Sequence, residues 1–115
     1  MKFFKAALLQ LRIYWQLRTR TFGAFQRQFS PPKVPLQSSA EVLAWTDAVR
    51  RTGGKLRSTC LVQALALKYL APETHLRIGV ANHKGFEAHA WVEFQGEVIL
   101  GNVPDFEYVP IWEMN

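Results

Sequence analysis

Two residues of this 115-residue chain could do chemistry together: a lone cysteine at a helix start and a histidine in a strand-like run. Cys60 opens the apolar run of residues 60 to 67, and Ser58 just before it is suited to the N-cap. A cysteine in the first turn of a helix meets the positive end of the helix dipole and unsatisfied backbone N–H groups, which favour a thiolate. We therefore interpret Cys60 as a candidate nucleophile, with its own backbone N–H in the oxyanion hole.

His89 is the candidate base. It lies in residues 88 to 93, where apolar and polar residues alternate as in a strand and His89 shares a face with Trp91 and Glu93. A histidine beside a thiol can take its proton and later protonate the leaving amine. Taken singly, a lone cysteine is more often a small buried hydrophobic residue, and a strand histidine is common. The hypothesis therefore depends on the pair.

The neighbours of His89 have less certain roles. Trp91 is a candidate for substrate binding as a wall of the cleft, and ordinary packing explains it equally well. Glu93 lies roughly 13 Å from His89 along a strand, so we interpret it as solvent-facing or structural. His75 and His83 fall in predicted turns and give no metal-ligand spacing with Cys60 and His89, so we predict no metal and no cofactor.

The elements that position this pair predict an α+β fold. After a helix over residues 40 to 51, capped by Ser38 or Ser39 and ended by Gly53 and Gly54, the cysteine helix runs from Ser58 to residues 71 and 72. Period-two alternation then predicts an antiparallel sheet of residues 76 to 82, 87 to 94 and 97 to 101, with a tight turn at residues 95 and 96. The remainder to residue 110 is interpreted as loop with a short edge strand.

The N-terminal residues 3 to 29 show helical spacing with interspersed basic residues, broken near residues 21 to 23. Three interpretations stay open: packing on its own domain, docking of a partner protein, and adsorption to a membrane surface, which is less favoured. Three prolines in residues 30 to 35 then predict a linker. We thus predict a basic helical segment with linker over residues 1–35 and a second unit over residues 36–115. The apolar residues of the N-terminal segment are Phe4, Leu8, Leu11, Trp15, Phe22, Phe25 and Phe29.

Charge and composition limit the function classes. Residues 1 to 57 hold 11 Lys or Arg against 2 Asp or Glu, whereas residues 58 to 115 hold 3 against 7. No nucleic-acid-binding motif or phosphate-cradling glycine loop accompanies the basic half, so we do not expect nucleic acid as a partner. One cysteine rules out an internal disulfide and favours a reducing, cytoplasmic setting. Gln10 and Arg12 interrupt the first apolar run, so we expect neither a signal peptide nor a membrane span.

Three blocks of sequence together resemble the leader peptidases of lasso-peptide biosynthesis, which are small relatives of transglutaminase-like and papain-like cysteine peptidases. The blocks are residues 60 to 67, residues 76 to 80, and residues 86 to 93 with Gly96, and the resemblance covers about residues 38 to 110. It implies a transglutaminase-like, papain-like core. It also implies removal of the leader from a ribosomally made precursor through an acyl-enzyme thioester, with Cys60 as nucleophile and His89 as base.

The same resemblance implies partners. A separate small leader-binding protein would present the precursor peptide, and a lasso cyclase would act on the freed core. The basic N-terminal helices are our candidate docking surface for the leader-bound partner.

The third catalytic residue departs from the pattern of the family. Relatives carry an Asp on or just after the strand that follows the histidine, and here that register falls on Gly101 and Asn102. Asn102 can orient His89, as Asn does in papain-like enzymes. Asp105 is the alternative, if the loop after Gly101 folds back. The missing acid also keeps two rival hypotheses open: a transglutaminase-like acyl transferase and a non-catalytic peptide-binding scaffold of the same fold.

Overall fold

The structure, a computed structural model, describes residues 2–19, 21–29, 38–56, 59–82, 86–101 and 109–114. Within these residues helices precede strands along the chain, and the strands form one antiparallel sheet. This confirms the predicted α+β class. The elements are α1 (Lys2–Thr19), α2 (Phe22–Gln28), α3 (Ser39–Leu56), α4 (Cys60–Leu70), β1 (His75–Asn82), β2 (Phe86–Phe94), β3 (Glu97–Gly101) and β4 (Val109–Met114).

The sheet has the strand order β3-β2-β1-β4, and each neighbouring pair is antiparallel. β2 and β3 form a hairpin through Gln95 and Gly96, whose φ angles of 52° and 82° fit a two-residue turn that needs two left-handed residues. This turn was predicted and is confirmed. β4 was missed as a full strand: it pairs with β1 at the edge of the sheet, where Pro110 can be tolerated.

The core lies between α4 and one face of the sheet. α4 packs against β2, β1 and β3, while α1 and α3 pack against α4 from the other side. In register, Leu76 faces Val92 and Ile78 faces Ala90, and all four side chains are buried in this core. Because side chains alternate along a strand, the residues between them, including His89 and Trp91, belong to the opposite face.

α1 packs on its own domain, but through a face other than its aromatic stripe. Ala6, Gln10 and Ile13 are buried, and the Gln10 side-chain nitrogen donates to the Val49 carbonyl at 3.2 Å and to the Thr52 hydroxyl at 2.8 Å. Of the apolar residues singled out from the sequence, those of α1 (Phe4, Leu8, Leu11 and Trp15) are exposed instead, whereas Phe25 is buried in the core and Phe29 packs against it. A break after α1 was predicted and is confirmed, since α2 begins anew with Thr21 as its N-cap.

Two predicted helix ends are wrong. α3 continues through Gly53 and Gly54 to Leu56, because Gly53 is buried where a Cβ atom would lie 2.7 Å from the Gln63 side chain. Gly53 therefore allows α3 and α4 to pack closely and does not end α3. The N-cap of α4 is Thr59, whose hydroxyl accepts from the Val62 N–H, whereas Ser58 lies outside the described residues.

The start of α3 is as predicted, with Ser38 as the cap: its hydroxyl accepts from the Glu41 N–H at 3.2 Å. Residues 30 to 35, the predicted linker, lie outside the described residues, so the division at residue 35 stays a prediction. None of the described helices is long and apolar enough to cross a membrane.

Candidate active site

Cys60 is the first residue of α4 and is half-buried against the core. The Thr59 hydroxyl accepts from the Val62 N–H at 3.3 Å, and the first ladder bond runs from the Gln63 N–H to the Thr59 carbonyl at 3.0 Å. The N–H groups of Cys60 and Leu61 therefore precede the hydrogen-bonded ladder of the helix. They are the groups that could stabilise an oxyanion formed on a carbonyl attacked by the thiol.

The electrostatics of this helix start favour negative charge. The first turn of α4 contains no acidic residue that would offset the positive end of the helix dipole. With 11 residues, α4 is long enough for the dipole to act at its N-terminus. The predicted placement of Cys60 in the first helical turn is thus confirmed, although its capping residue is Thr59.

His89 lies in β2, half-buried, and its neighbour on β1 is Gly79. Because Gly79 has no side chain, the cross-strand position next to the imidazole on that face is not filled by a β1 side chain. The described structure thus confirms His89 as a strand residue on the sheet that packs against α4.

Chain length limits where the start of α4 can lie along the sheet. α4 ends at Leu70, β1 begins at His75, and α4 contacts β1 and β2, so the helix returns along the sheet. An α-helix of this length spans ~16 Å, which corresponds to roughly five strand residues. A helix that runs straight back along β1 would therefore place Cys60 roughly level with Val80, the direct neighbour of Gly79.

Trp91 is held in a polar network on the face of the sheet that His89 shares. It is only 1% exposed but stands apart from the main core, and its indole nitrogen donates to the Glu93 carboxylate at 2.9 Å. Arg77, opposite Trp91 on β1, lies 3.7 Å from Glu93 and donates to Glu113 at 2.7 Å. Glu93 therefore has the structural role that was one of its two predicted interpretations.

Sequence reasoning missed Arg77 and Gly101 as supports of this face. Arg77 could have been found from its polar position in the alternation of β1. This position puts it across from Trp91, on the same face of the sheet. Gly101 has a φ of 91° and lies directly opposite Trp91, so β3 approaches β2 closely at its last residue. Asn102 is the next residue in the chain, but Asn102 and Asp105 both lie outside the described residues.

Lys68 fixes the other end of α4. Its side chain is 2% exposed, and its ammonium donates to the carbonyls of Pro72 and Thr74, each at 2.6 Å. Burial away from water lowers the pKa of Lys68 from 10.5, an effect that the nearby Glu73 carboxylate opposes. This ammonium ties the C-terminal end of α4 to the residues that lead into β1.

A comparison with family models gives the family of the chain. The model described as Transglutaminase-like superfamily matches residues 6–113, from α1 to β4. The chain belongs to the transglutaminase-like superfamily. This superfamily includes cysteine peptidases and acyltransferases. The match begins earlier than the predicted resemblance, at residue 6 instead of about residue 38, and so takes in the N-terminal helices.

No curated protein and no solved structure matches the chain significantly. In a superfamily that includes thiol enzymes, a half-buried cysteine at a helix start and a histidine on the adjoining sheet are groups suited to acyl transfer through sulfur. α4 packs on the sheet face that carries Ala90 and Val92, while strand alternation places His89 on the opposite face, and the approach of thiol and imidazole is part of the proposal below.

Proposed function

We propose that this protein is a cysteine peptidase that removes the leader from a ribosomally made lasso-peptide precursor. The observation that carries the proposal is the position of Cys60 as the first residue of α4, packed against the sheet that bears His89. Membership of the transglutaminase-like superfamily supports thiol chemistry. The resemblance of the three sequence blocks to leader peptidases supports the choice of substrate.

In the proposed reaction, His89 takes the proton of the Cys60 thiol and the sulfur attacks the carbonyl carbon of the last leader residue. The resulting oxyanion accepts hydrogen bonds from backbone N–H groups at the start of α4. When the intermediate collapses, the C–N bond breaks and His89 gives its proton to the departing amine of the core peptide. Leader and Cys60 are then joined as a thioester.

Water completes the proposed cycle. His89 takes a proton from a water molecule, whose oxygen attacks the thioester carbonyl, and the C–S bond breaks. The leader leaves as an acid that ionises in water, and the Cys60 sulfur takes the proton back from His89, so that thiol and neutral imidazole are restored. Asn102 is our first choice for the residue that orients His89, because it follows β3, the strand paired with the histidine strand. Asp105 remains the alternative.

A leader-binding protein is part of the proposal, because a domain of this size has little surface left for a long peptide. The precursor would arrive bound to that protein, and the freed core would pass to a cyclase.

The decisive experiment incubates the precursor and its leader-binding protein with wild type or with Cys60→Ala and follows the products by mass spectrometry. Wild type is expected to release leader and core of the masses required by hydrolysis, and Cys60→Ala is expected to release neither. Equal cleavage by both proteins would end the proposed mechanism.

The same experiment separates hydrolysis from transfer of the acyl group to an amine. A primary amine such as glycine amide is added in excess, and the mass of the leader fragment is measured. A free leader carboxylate in every sample supports the peptidase. A leader joined to the added amine as the main product would favour the acyltransferase alternative that the superfamily also contains.

A further inference from the structure

The outward face of α1 is a stripe of exposed apolar side chains, which we name the α1 seam. It consists of Phe4, Leu8, Leu11 and Trp15, with exposed fractions of 65%, 51%, 43% and 61%. Large side chains exposed together in this way mark an interaction surface more often than scattered single ones do. The opposite face of α1 is already occupied, because Ala6, Gln10 and Ile13 are buried.

The spacing of the α1 seam fits a helical partner. Its residues follow one another at intervals of four, three and four, the pattern by which one helix packs along another in a coiled coil. At 3.6 residues per turn the four side chains fall within an arc of about 60°. Phe3 and Tyr14, 49% and 43% exposed, lie beside one edge of this arc, and the four-three-four spacing within it is the feature that suits contact with a single helix.

The charges beside the α1 seam indicate what that helix carries. Lys5 and Arg12 are exposed and lie seven residues apart along one edge of the seam. Arg18 extends the same helix, where it donates to the Tyr14 hydroxyl at 3.0 Å. Residues 1 to 29 contain no Asp or Glu. A second copy of this chain would therefore bring like charges together at the seam, which disfavours self-pairing.

We propose that the α1 seam binds an amphipathic helix of another protein, with apolar residues at the same spacing and acidic residues along its edges. The apolar residues would bury the exposed aromatic and leucine side chains of the seam. The acidic edges would pair with Lys5 and Arg12. This inference does not rest on peptidase activity, and its test contains no substrate.

The test uses two synthetic three-heptad helical peptides as probes. Both carry leucine at four-three spacing, and one has glutamate and the other lysine at the flanking positions. Binding of each fluorescently labelled peptide to the full-length protein is measured by anisotropy at low and high salt. The glutamate peptide is expected to bind at least about five-fold more tightly than the lysine peptide, and salt should reduce that difference.

Three variants locate the contact. Leu8→Gln with Leu11→Gln should abolish binding of the glutamate peptide, while Leu43→Gln, an equally exposed leucine on α3, should leave it unchanged. Lys5→Glu with Arg12→Glu should reverse the preference toward the lysine peptide. All these side chains are exposed, so circular dichroism spectra should match that of wild type.

Other outcomes would overturn the proposal. Equal affinity for both peptides, or binding that survives the Leu8 and Leu11 substitutions, would exclude the α1 seam as the site. Vesicles of phosphatidylglycerol and of phosphatidylcholine form a further arm. Seam-dependent binding to the anionic vesicles without binding of the glutamate peptide would make the surface a membrane contact instead.

Discussion

Gly101 lies directly opposite Trp91 in the β2–β3 pair, and a Cβ atom on Gly101 would stand 2.8 Å from the Trp91 Cα and closer still to the Ala90 carbonyl oxygen. Its φ of 91° is a left-handed conformation that side chains disfavour. The two atoms that a Cβ on Gly101 would meet belong to the backbone of β2, which cannot rotate away as a flexible side chain can. The end of β3 therefore depends on glycine.

Gly101→Ala should destabilise the protein by about 1–3 kcal/mol, because it adds a clash with β2 to an unfavourable φ. The measurement is urea unfolding followed by tryptophan fluorescence. Gly54→Ala is the matched control, since a Cβ there meets nothing within 4 Å in a helix, and it should stabilise by about 0.5–1 kcal/mol. Equal effects of the two substitutions would contradict the close approach of the strands.

Replacing Lys68 with Met should lower the free energy of unfolding by about 1–3 kcal/mol, since the carbonyls of Pro72 and Thr74 lose their donor. Chemical unfolding again provides the measurement. Lys55→Met, on the exposed end of α3, should change stability by no more than about 0.5 kcal/mol. A Lys68 variant as stable as the Lys55 variant would show that the ammonium does not hold the helix end.

The lowered pKa of Lys68 also predicts a pH dependence. Between that pKa and the ordinary lysine value of 10.5, the unfolded chain holds more protons than the folded one, so stability rises with pH. The difference in stability between wild type and Lys68→Met should therefore grow in favour of wild type as pH rises from neutral toward 10.5. Unfolding at several pH values would measure it. A difference that falls over this range would contradict the direction of the shift.

Alkylation tests the Cys60–His89 pair without a substrate. Cys60 is the one cysteine of the chain, so iodoacetamide uptake by mass reports on it alone. Near neutral pH the thiol should react about ten-fold faster than free cysteine, and His89→Asn should remove most of that advantage. His75→Asn, at the start of β1, is the control and should react as wild type does. An unchanged alkylation rate in His89→Asn would show that the imidazole does not activate the thiol.

The residue that orients His89 can be identified by comparing Asn102→Ala with Asp105→Ala. Substitution of the true partner should lower kcat for leader removal by about 100-fold or more and change its pH profile, since the imidazole loses its preferred tautomer. The other substitution should leave both close to wild type. Equal and small effects of the two would remove both residues from the mechanism.

Local chemistry made much of the fold predictable. Gln95 and Gly96 between two alternating runs predict the hairpin, and the switch from helical to period-two spacing after Pro72 predicts the α+β order. The errors arise where a distant contact outweighs a local rule. Gly53 does not end α3, because the side chain of Gln63 packs against it. The C-terminal segment was predicted to hold only a short edge strand, because Pro110 argues against a longer one, and the place of β4 at the sheet edge makes Pro110 tolerable.

The elements of the candidate site were predictable, while their supports were not. Cys60 in the first turn of a helix and His89 in a strand follow from periodicity. Spacing along the chain cannot reveal that Arg77 bridges Glu93 and Glu113, because these residues meet only in the folded sheet. Nor could the sequence show which face of α1 is buried, since both of its faces carry apolar residues.

The packing of Gly53 against Gln63 predicts that side-chain sizes at these two positions vary together in other members of the superfamily. A side chain on Gly53 would overlap that of Gln63, one helical turn beyond Cys60, so the space between α3 and α4 is shared by two positions. Selection should then act on the combined volume of the side chains at positions 53 and 63. Chains with a larger residue at the first position should have a smaller one at the second, and chains in which both are large should have drawn α4 away and displaced the thiol.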